Sequence, residues 1–136
     1  MTYILEENVG FILRQVTQRH LSLFSATMVH DLTPTQFSAL LKLHEQGTSS
    51  QNHLGRLTAM DNPTIKGVVD RLIRRGLVAA RPDPADARLH LLSLTTEGER
   101  VLNDAIPCAE RVTEATLAPL APVERTTLLG LLKSLR

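Results

Sequence analysis

Apolar residues recur at helical spacing along most of the chain, and the stretch between Pro63 and Gly76 shows the cleanest pattern. Its apolar side chains fall at i, i+3, i+4, i+7 and i+8, which is one stripe of a helix: Ile65, Val68, Val69, Leu72 and Ile73. Asn62 is a good N-cap, and Pro63 suits the first helical position, where a missing N–H costs nothing. Gly76 supplies the left-handed residue that ends a helix. The pattern predicts an amphipathic helix with one packed face and one free face.

Two apolar-rich runs follow this helix and predict a β-hairpin. Residues 77–81 and 88–94 are separated by an insert of turn-forming residues: Pro82, Asp83, Pro84, Ala85, Asp86 and Ala87. Alternation in the second run is imperfect because Leu91 and Leu92 are adjacent. A β-bulge and a strand buried on both faces both remain open.

Two short helices are predicted before this segment. Thr33 and Gln36 form a capping box around Pro34, which opens a helix that stops near Gly47. Ser49 or Ser50 caps the next short helix, and residues 59–61 make the turn into the amphipathic one. Two short helices joined by a tight turn, the second of them basic, are typical of a helix-turn-helix.

The ends of the chain carry more apolar surface than one helix face can bury. From about residue 4 to residue 30 the apolar positions are too many for a single stripe, so we expect a helix buried on more than one side. Residues 123–135 form a leucine-rich helix with the same excess. In a small domain the second side usually packs on another subunit. We therefore expect both ends to contribute to a dimer.

A further helix is expected between the hairpin and this last helix. Thr96 and Glu99 form a capping box at its start, and Pro107 interrupts its apolar pattern. A proline inside a helix removes one backbone hydrogen bond, so we predict a kink there rather than an end. Pro119 and Pro122 mark the real break.

Composition narrows the class of protein. The chain has 136 residues with 43% hydrophobic but only 3% aromatic content, which favours helices over a β-sandwich. One cysteine cannot form an internal disulfide, and no signal peptide or long apolar run is visible, so we expect a cytoplasmic protein without a membrane partner. The net charge is only +1, yet residues 66–88 carry six basic and three acidic side chains, a local excess of +3. Nucleic-acid affinity would come from this localised basic surface.

Three motifs together resemble the MarR family of bacterial transcription regulators. They are Arg-Gly-Leu-Val at 75–78, Asp-x-x-Asp-x-Arg at 83–88 and Leu-Thr-x-x-Gly at 94–98. The resemblance implies a mostly α fold with a small β-wing, in which a winged helix-turn-helix DNA-binding lobe at residues 33–98 lies between dimerisation helices at 1–32 and 99–136. All 136 residues would form a single domain, a homodimer that represses a catabolic or stress operon from a pseudo-palindromic DNA operator.

The helix position and the resemblance together nominate the DNA-binding residues. Asn62, Thr64 and Lys66 lie in the first turns, where a groove-reading helix contacts base edges; Ile65 is at the boundary, and Arg71 and Arg74 would bind phosphates. The resemblance adds that Asp86 orients Arg88 in or beside the minor groove. Ser50 and Gln51, at the start of the preceding helix, complete the set. Gly67 either allows close approach of backbone to DNA or is neutral drift.

The resemblance also implies a small aromatic carboxylate effector, held between the arms and the DNA-binding lobe, that releases the operator. Within the family the chain is similar to repressors of nicotinate breakdown, which implies a hydroxylated pyridine carboxylate; a benzene carboxylate is the related option. The candidates are polar residues of the first helix with apolar lining: Asn8, Phe11, Arg14, His20, His30 and Met60. Arg14 suits a carboxylate because its fork can bind both oxygens. The alternative is that each is an ordinary surface or interface residue.

Other functions find less support in the residues. No catalytic motif or phosphate loop is present, so we expect neither an enzyme nor a cofactor. The histidines lack the i, i+4 spacing of a metal site, and Cys108 is either an inert buried thiol or a thiol sensor. A metal-sensing regulator and a winged-helix protein-interaction module without DNA affinity remain the alternative functions.

Overall fold

The computed structural model describes residues 2–136. In that part of the chain, six α-helices and three short strands follow one another in the order α1 (Val9–Thr27), α2 (Pro34–Gln46), β1 (Ser49–Ser50), α3 (Gln51–Leu57), α4 (Asn62–Arg74), β2 (Val78–Pro82), β3 (His90–Leu94), α5 (Thr96–Leu117) and α6 (Pro122–Ser134). A single 3-10 turn, Leu5–Glu7, precedes α1. This order confirms the predicted mostly α fold with a small β-wing.

The chain divides into two compact units, which we describe separately. Residues 29–107 form one unit, the winged-helix unit; residues 2–28 and 108–136 form the other, the arm unit. The helix α5 is continuous through Pro107, which lies at the boundary between the units, so the proline does not end the helix.

Side-chain caps explain where the helices of the winged-helix unit begin. Thr33 and Gln36 close the predicted capping box at α2, and the Ser50 hydroxyl accepts from the His53 amide at α3. At α4 the prediction was one residue off, because Asp61 rather than Asn62 is the cap: its carboxylate accepts a hydrogen bond from the Thr64 amide at 2.9 Å. The carboxylate also suits the positive end of the helix dipole.

The wing is a regular antiparallel sheet with β3 in the centre. The strand order is β1-β3-β2, and the register is constant from Val78 opposite Leu94 to Pro82 opposite His90, which excludes the bulge that the sequence left open. The two residues of β1 pair with Leu91 and Leu92, so this part of β3 has a neighbour on each side. Leu91 is half-buried and Leu92 is buried, so both faces of this part of β3 are at least partly covered.

Hydrogen bonds of Thr95 connect the start of α5 to the base of the wing. Thr95, not Thr96, is the cap: its hydroxyl accepts from the Gly98 amide at 3.0 Å and donates to the Gly76 carbonyl at 2.6 Å. The predicted capping box with Glu99 is therefore wrong, and the Glu99 carboxylate lies 2.9 Å from His44 of α2 instead. Gly98 itself is buried, and a Cβ at this position would lie 2.1 Å from the Leu77 carbonyl oxygen.

Burial differs sharply between the two units. The core of the winged-helix unit is leucine-rich and well closed, with Leu40, Leu43, Leu54, Leu72 and Leu102 at no more than 1% exposure. In the arm unit many large apolar side chains are exposed on the monomer: Tyr3, Ile4, Leu5, Val9, Ile12, Leu13, Val16, Leu21, Val123, Leu129, Leu131, Leu132 and Leu135. None of the described helices has the combination of length and hydropathy needed to cross a bilayer.

Candidate nucleic-acid interface

The helix α4 has one buried side and one solvent-exposed side. Four residues of the predicted stripe are buried, namely Ile65, Val68, Val69 and Leu72, whereas Ile73, the fifth, is 39% exposed. The other side presents the predicted DNA-binding side chains, all of them exposed: Asn62, Thr64, Lys66, Arg71 and Arg74. Gly76, with φ 74°, ends this exposed surface after the C-cap residue Arg75.

Ile65 must be removed from the DNA-binding candidates. Its side chain is completely buried, and its Cγ2 atom would lie 3.2 Å from a Cβ built on Gly55 of α3. Glycine at position 55 thus allows α3 and α4 to approach closely. The isoleucine serves this helix packing and cannot contact a groove.

Lys66 forms an ion pair within its own helix. Its ammonium lies 2.8 Å from the Asp70 carboxylate one turn later. The hydrogen bond from Lys66 holds the pKa of Asp70 below its usual value, with smaller contributions from the charges of Lys66, Arg74 and Arg71. Lys66 therefore lies on the predicted DNA-binding surface, and Asp70 already compensates part of its positive charge.

At the tip of the wing, hydrogen bonds to Asp86 fix the orientation of the Arg88 side chain. The Arg88 guanidinium donates two hydrogen bonds to Asp86, at 3.1 and 3.0 Å, and the Arg88 amide donates a third at 3.0 Å. These bonds, those of the side chain first, keep the pKa of Asp86 below its usual value. Because the Arg88 side chain is 89% exposed, Asp86 orients it without burying it.

A polar groove of about 420 Å³ lies between the start of α3 and the wing. Its lining includes the predicted Ser50, Gln51 and Arg88 together with Arg56 and His90, which were not predicted. Arg56 and His90 are 34 positions apart in sequence and come together only because β1 pairs with β3. The groove therefore adds Arg56 and His90 to the candidate interface, and no local sequence signal marks them.

The predicted effector-binding residues are divided between the two units. In the arm unit, the Asn8 side chain caps α1 by accepting from the Phe11 amide at 3.1 Å, Phe11 is half-buried and Arg14 is exposed. In the winged-helix unit, Met60 lies half-buried in the turn before α4. Phe11 and Arg14 are three residues apart, so they share one face of α1.

The two histidines of this set already have partners. His20 is nine residues, about two and a half helical turns, beyond Phe11, which puts it on the opposite face of α1. Its Nδ1 atom lies 2.9 Å from the Thr116 hydroxyl within the arm unit. His30, in the winged-helix unit, adopts a positive φ of 58°, and its Nε2 atom lies 2.8 Å from Asp104. His20 therefore cannot line one surface of α1 together with Phe11.

The His, Cys, Asp and Glu side chains of the described residues do not form a metal site. Over residues 2–136, no group of three or more His, Cys, Asp or Glu side chains converges as a metal site would require. Cys108 is buried, and the Arg111 guanidinium donates to its sulfur at 3.1 Å.

Comparison with known proteins identifies the relatives of this chain. The sequence profile of the MarR family matches residues 30–89. The HTH-type transcriptional repressor NicR of Pseudomonas putida is 40% identical over 134 residues, which are 98% of this chain and 85% of NicR. A probable transcriptional regulator from Pseudomonas aeruginosa superimposes with a TM-score of 0.96 at 47% identity, over 98% of this chain and all of that one. Bordetella bronchiseptica BpsR, whose DNA binding is regulated by 6-hydroxynicotinic acid, superimposes with a TM-score of 0.95 at 38% identity, over 99% and 97% of the two chains.

Proposed function

The chain belongs to the MarR family of transcriptional regulators, and from this premise we propose that it is a dimeric repressor that a small aromatic acid releases from a pseudo-palindromic operator. The family and the relatives are regulators, in agreement with the prediction that the chain is not an enzyme.

DNA binding rests on one observation: the exposed side of α4 and the Asp86–Arg88 wing tip belong to the same compact unit. A helix that offers exposed polar and basic residues fits the major groove, and an arginine held at a hairpin tip fits the neighbouring minor groove. We propose that Arg56 and His90, which line the groove between the start of α3 and the wing, contact phosphates of the DNA backbone.

The exposed apolar residues of the arm unit support the proposed homodimer. A monomer rarely exposes so many large aliphatic side chains, and a second copy of the chain would cover them. On α6 they border a groove of about 330 Å³ whose lining includes Val123, Leu128 and Leu131. A twofold dimer would also present two copies of α4 to half-sites spaced about 10 base pairs apart.

A hydroxylated pyridine carboxylate is the effector class that we propose. BpsR, regulated by 6-hydroxynicotinic acid, is similar to this chain over nearly its whole length, and so is NicR. Arg14 offers the fork that a carboxylate requires: it is exposed, and within the described part of the chain its guanidinium has no hydrogen-bonding partner. Phe11 lies one turn away and offers an aromatic surface to the ring. Asn8, His30 and Met60 stay secondary candidates.

Binding to DNA is tested by titrating labelled duplexes of the sequence upstream of the chain's own gene. We expect binding to that DNA at least a hundredfold tighter than to a shuffled duplex, together with a steep loss of affinity as salt rises. Equal binding to both duplexes at every salt concentration would contradict the assignment as an operator-specific repressor.

The effector is tested by adding 6-hydroxynicotinate to the preformed complex and by calorimetry. We expect release of DNA by the wild type and roughly a tenfold weaker response in Arg14→Ala, because the carboxylate loses its charged partner. Arg14→Lys keeps the charge without the fork and should fall between the two. Operator binding without effector should be equal in all three proteins; no release of the wild-type complex by 6-hydroxynicotinate, nicotinate or hydroxybenzoates would rule out this effector class.

A further inference from the structure

Gly67 interrupts the side chains on the exposed side of α4. It lies two positions after Ile65 and two before Val69, both of them buried, so the helical period places it on the side opposite the apolar stripe. A glycine in the middle of a helix costs stability. At this position it leaves a shallow notch in the surface, at a place where a groove-reading helix usually carries a side chain.

Arg71 occupies that notch. Its guanidinium is so placed that a Cβ on Gly67 would lie 3.3 Å from one terminal nitrogen, 3.8 Å from the other and 3.9 Å from the central carbon. Helical side chains lean toward the N-terminus of the helix, so a residue covers the turn before its own. Arg71 therefore carries its charge about one turn closer to the N-terminal end, which is the part of such a helix that contacts bases.

Arg71 and the neighbouring cation Lys66 differ in whether they have a hydrogen-bonding partner. Lys66, on the other side of the notch, is paired with Asp70 at 2.8 Å. Within residues 2–136 no acceptor takes a hydrogen bond from the Arg71 guanidinium, so all of its donors are available to a ligand. Of the two cations, Arg71, which the sequence predicted to bind phosphate, is thus the one without a hydrogen-bonding partner in the described chain.

We infer that Arg71, lying over Gly67, is the specificity-determining residue of α4 and recognises a guanine in the major groove. This inference rests on the proposed DNA-binding function. Guanine presents its O6 and N7 acceptors side by side, and the planar fork of arginine matches that pair. In this arrangement Gly67 lets the arginine lie flat along the helix, and Lys66 adds charge without selecting a base.

The test compares sequence preference among variants by selection from randomised duplexes, followed by titration of single-base substitutions. For wild type we expect one G·C pair in each half-site whose replacement weakens binding roughly tenfold or more. Arg71→Lys should lose that discrimination while keeping the same salt dependence, because the charge remains and only the fork is lost. Gly67→Gln should lose it as well, since its side chain would take the space of the guanidinium.

Arg74→Lys is the matched control, because Arg74 is exposed on the same helix about one turn beyond Arg71. It should retain the wild-type preference at every position. Circular dichroism before titration checks that each variant is folded, and Gly67→Ala, which displaces the guanidinium by only a few tenths of an ångström, gives a second variant in which folding is not at risk.

Each outcome separates this inference from the function on which it rests. If wild type selects a sequence and Arg71→Lys selects the same one equally well, Arg71 is not the determinant although the protein is an operator-specific regulator. If Arg71→Lys weakens all duplexes alike, Arg71 contacts only phosphate. If wild type selects no sequence at all, the proposed function fails, and the inference fails with it.

Discussion

Arg88 shows how a single exposed side chain can be prepared for binding. Its hydrogen bonds to Asp86 hold the guanidinium in one orientation, so less side-chain freedom would be lost in the DNA contact that we propose. The pair sits at the wing tip and not in the core. We therefore expect the pair to contribute to DNA recognition and little to the stability of the fold.

Replacing this arginine should affect DNA binding alone. We expect Arg88→Ala to weaken operator binding roughly tenfold to a hundredfold and to lower the salt slope by about one, because one cationic contact is lost. Asp86→Asn, which keeps the arginine but weakens its orientation, should cause a smaller loss. Titrations at several salt concentrations measure both quantities. An Arg88→Ala protein that binds as tightly as wild type would exclude Arg88 from the interface.

Asp61 makes a prediction about acid stability. Hydrogen bonds from Thr64 hold the pKa of Asp61 below its usual 3.8, so the folded state favours the carboxylate. Such a group stabilises the fold fully above its unfolded pKa, and the contribution disappears as pH falls through the lower folded value. Asp61→Asn can still cap α4 but does not titrate. In melting experiments from about pH 6 to about pH 2, wild type should lose more stability than the variant; parallel curves would contradict the role of the charge.

The sequence predicts the role of a single residue correctly where its interaction partner is close by in the chain. The capping box of α2 involves residues three positions apart, so the sequence contains all of its determinants. At α4 two good caps, Asp61 and Asn62, are adjacent, and cap preference alone does not say which of them begins the helix. Ile65 is a different case: helix periodicity already placed it in the apolar stripe, and only its contact with Gly55, ten positions away, required the structure.

The junction between the wing and α5 depends on the absence of a side chain. The Leu77 carbonyl accepts a hydrogen bond from the Thr95 amide at 3.1 Å and would lie 2.1 Å from a Cβ on Gly98. This geometry gives a physical reason for the glycine in the Leu-Thr-x-x-Gly motif. The motif is a packing requirement, and it brings no chemistry of its own.

Two glycine-to-alanine substitutions should therefore have opposite effects. Gly98→Ala forces a backbone atom to move and should cost about 2 kcal/mol of unfolding free energy, despite the better helix propensity of alanine. Gly130→Ala, inside α6 with nothing within 4 Å of its Cβ, should gain up to about 1 kcal/mol. Urea unfolding measures both. If the two variants shifted in the same direction, the close contact at Leu77 would not be what requires glycine.

Elements were easier to predict than the surfaces they form together. The helices and the hairpin follow from periodicity and turn residues, and the strands were placed within about two residues. The groove containing Arg56 and His90 required the two-residue strand β1, which is too short to leave a pattern in the sequence. For the same reason, the positions of Arg71 over Gly67 and of Lys66 against Asp70 needed side-chain coordinates.

At the scale of the whole molecule, the exposed leucines of α6 allow the proposed dimer to be tested without deletion. Leu131 is 62% exposed, and Leu131→Glu should shift the protein toward monomer in sedimentation equilibrium, because burying the new charge in an interface is unfavourable. Thr126→Glu adds the same charge on a part of α6 outside the arc of exposed leucines and should remain dimeric. A dimeric Leu131→Glu protein would show that this part of α6 lies outside the contact.

In the proposed dimer, the apolar surface of the arm unit would also link regulation to the abundance of the protein. If two chains must associate before both half-sites are occupied, then at low levels operator occupancy rises with the square of the chain concentration. Dilution at cell division would relieve repression more sharply than a monomeric regulator allows. Chains without a partner would display their leucines to chaperones and proteases, which would shorten the lifetime of the surplus and sharpen the threshold further.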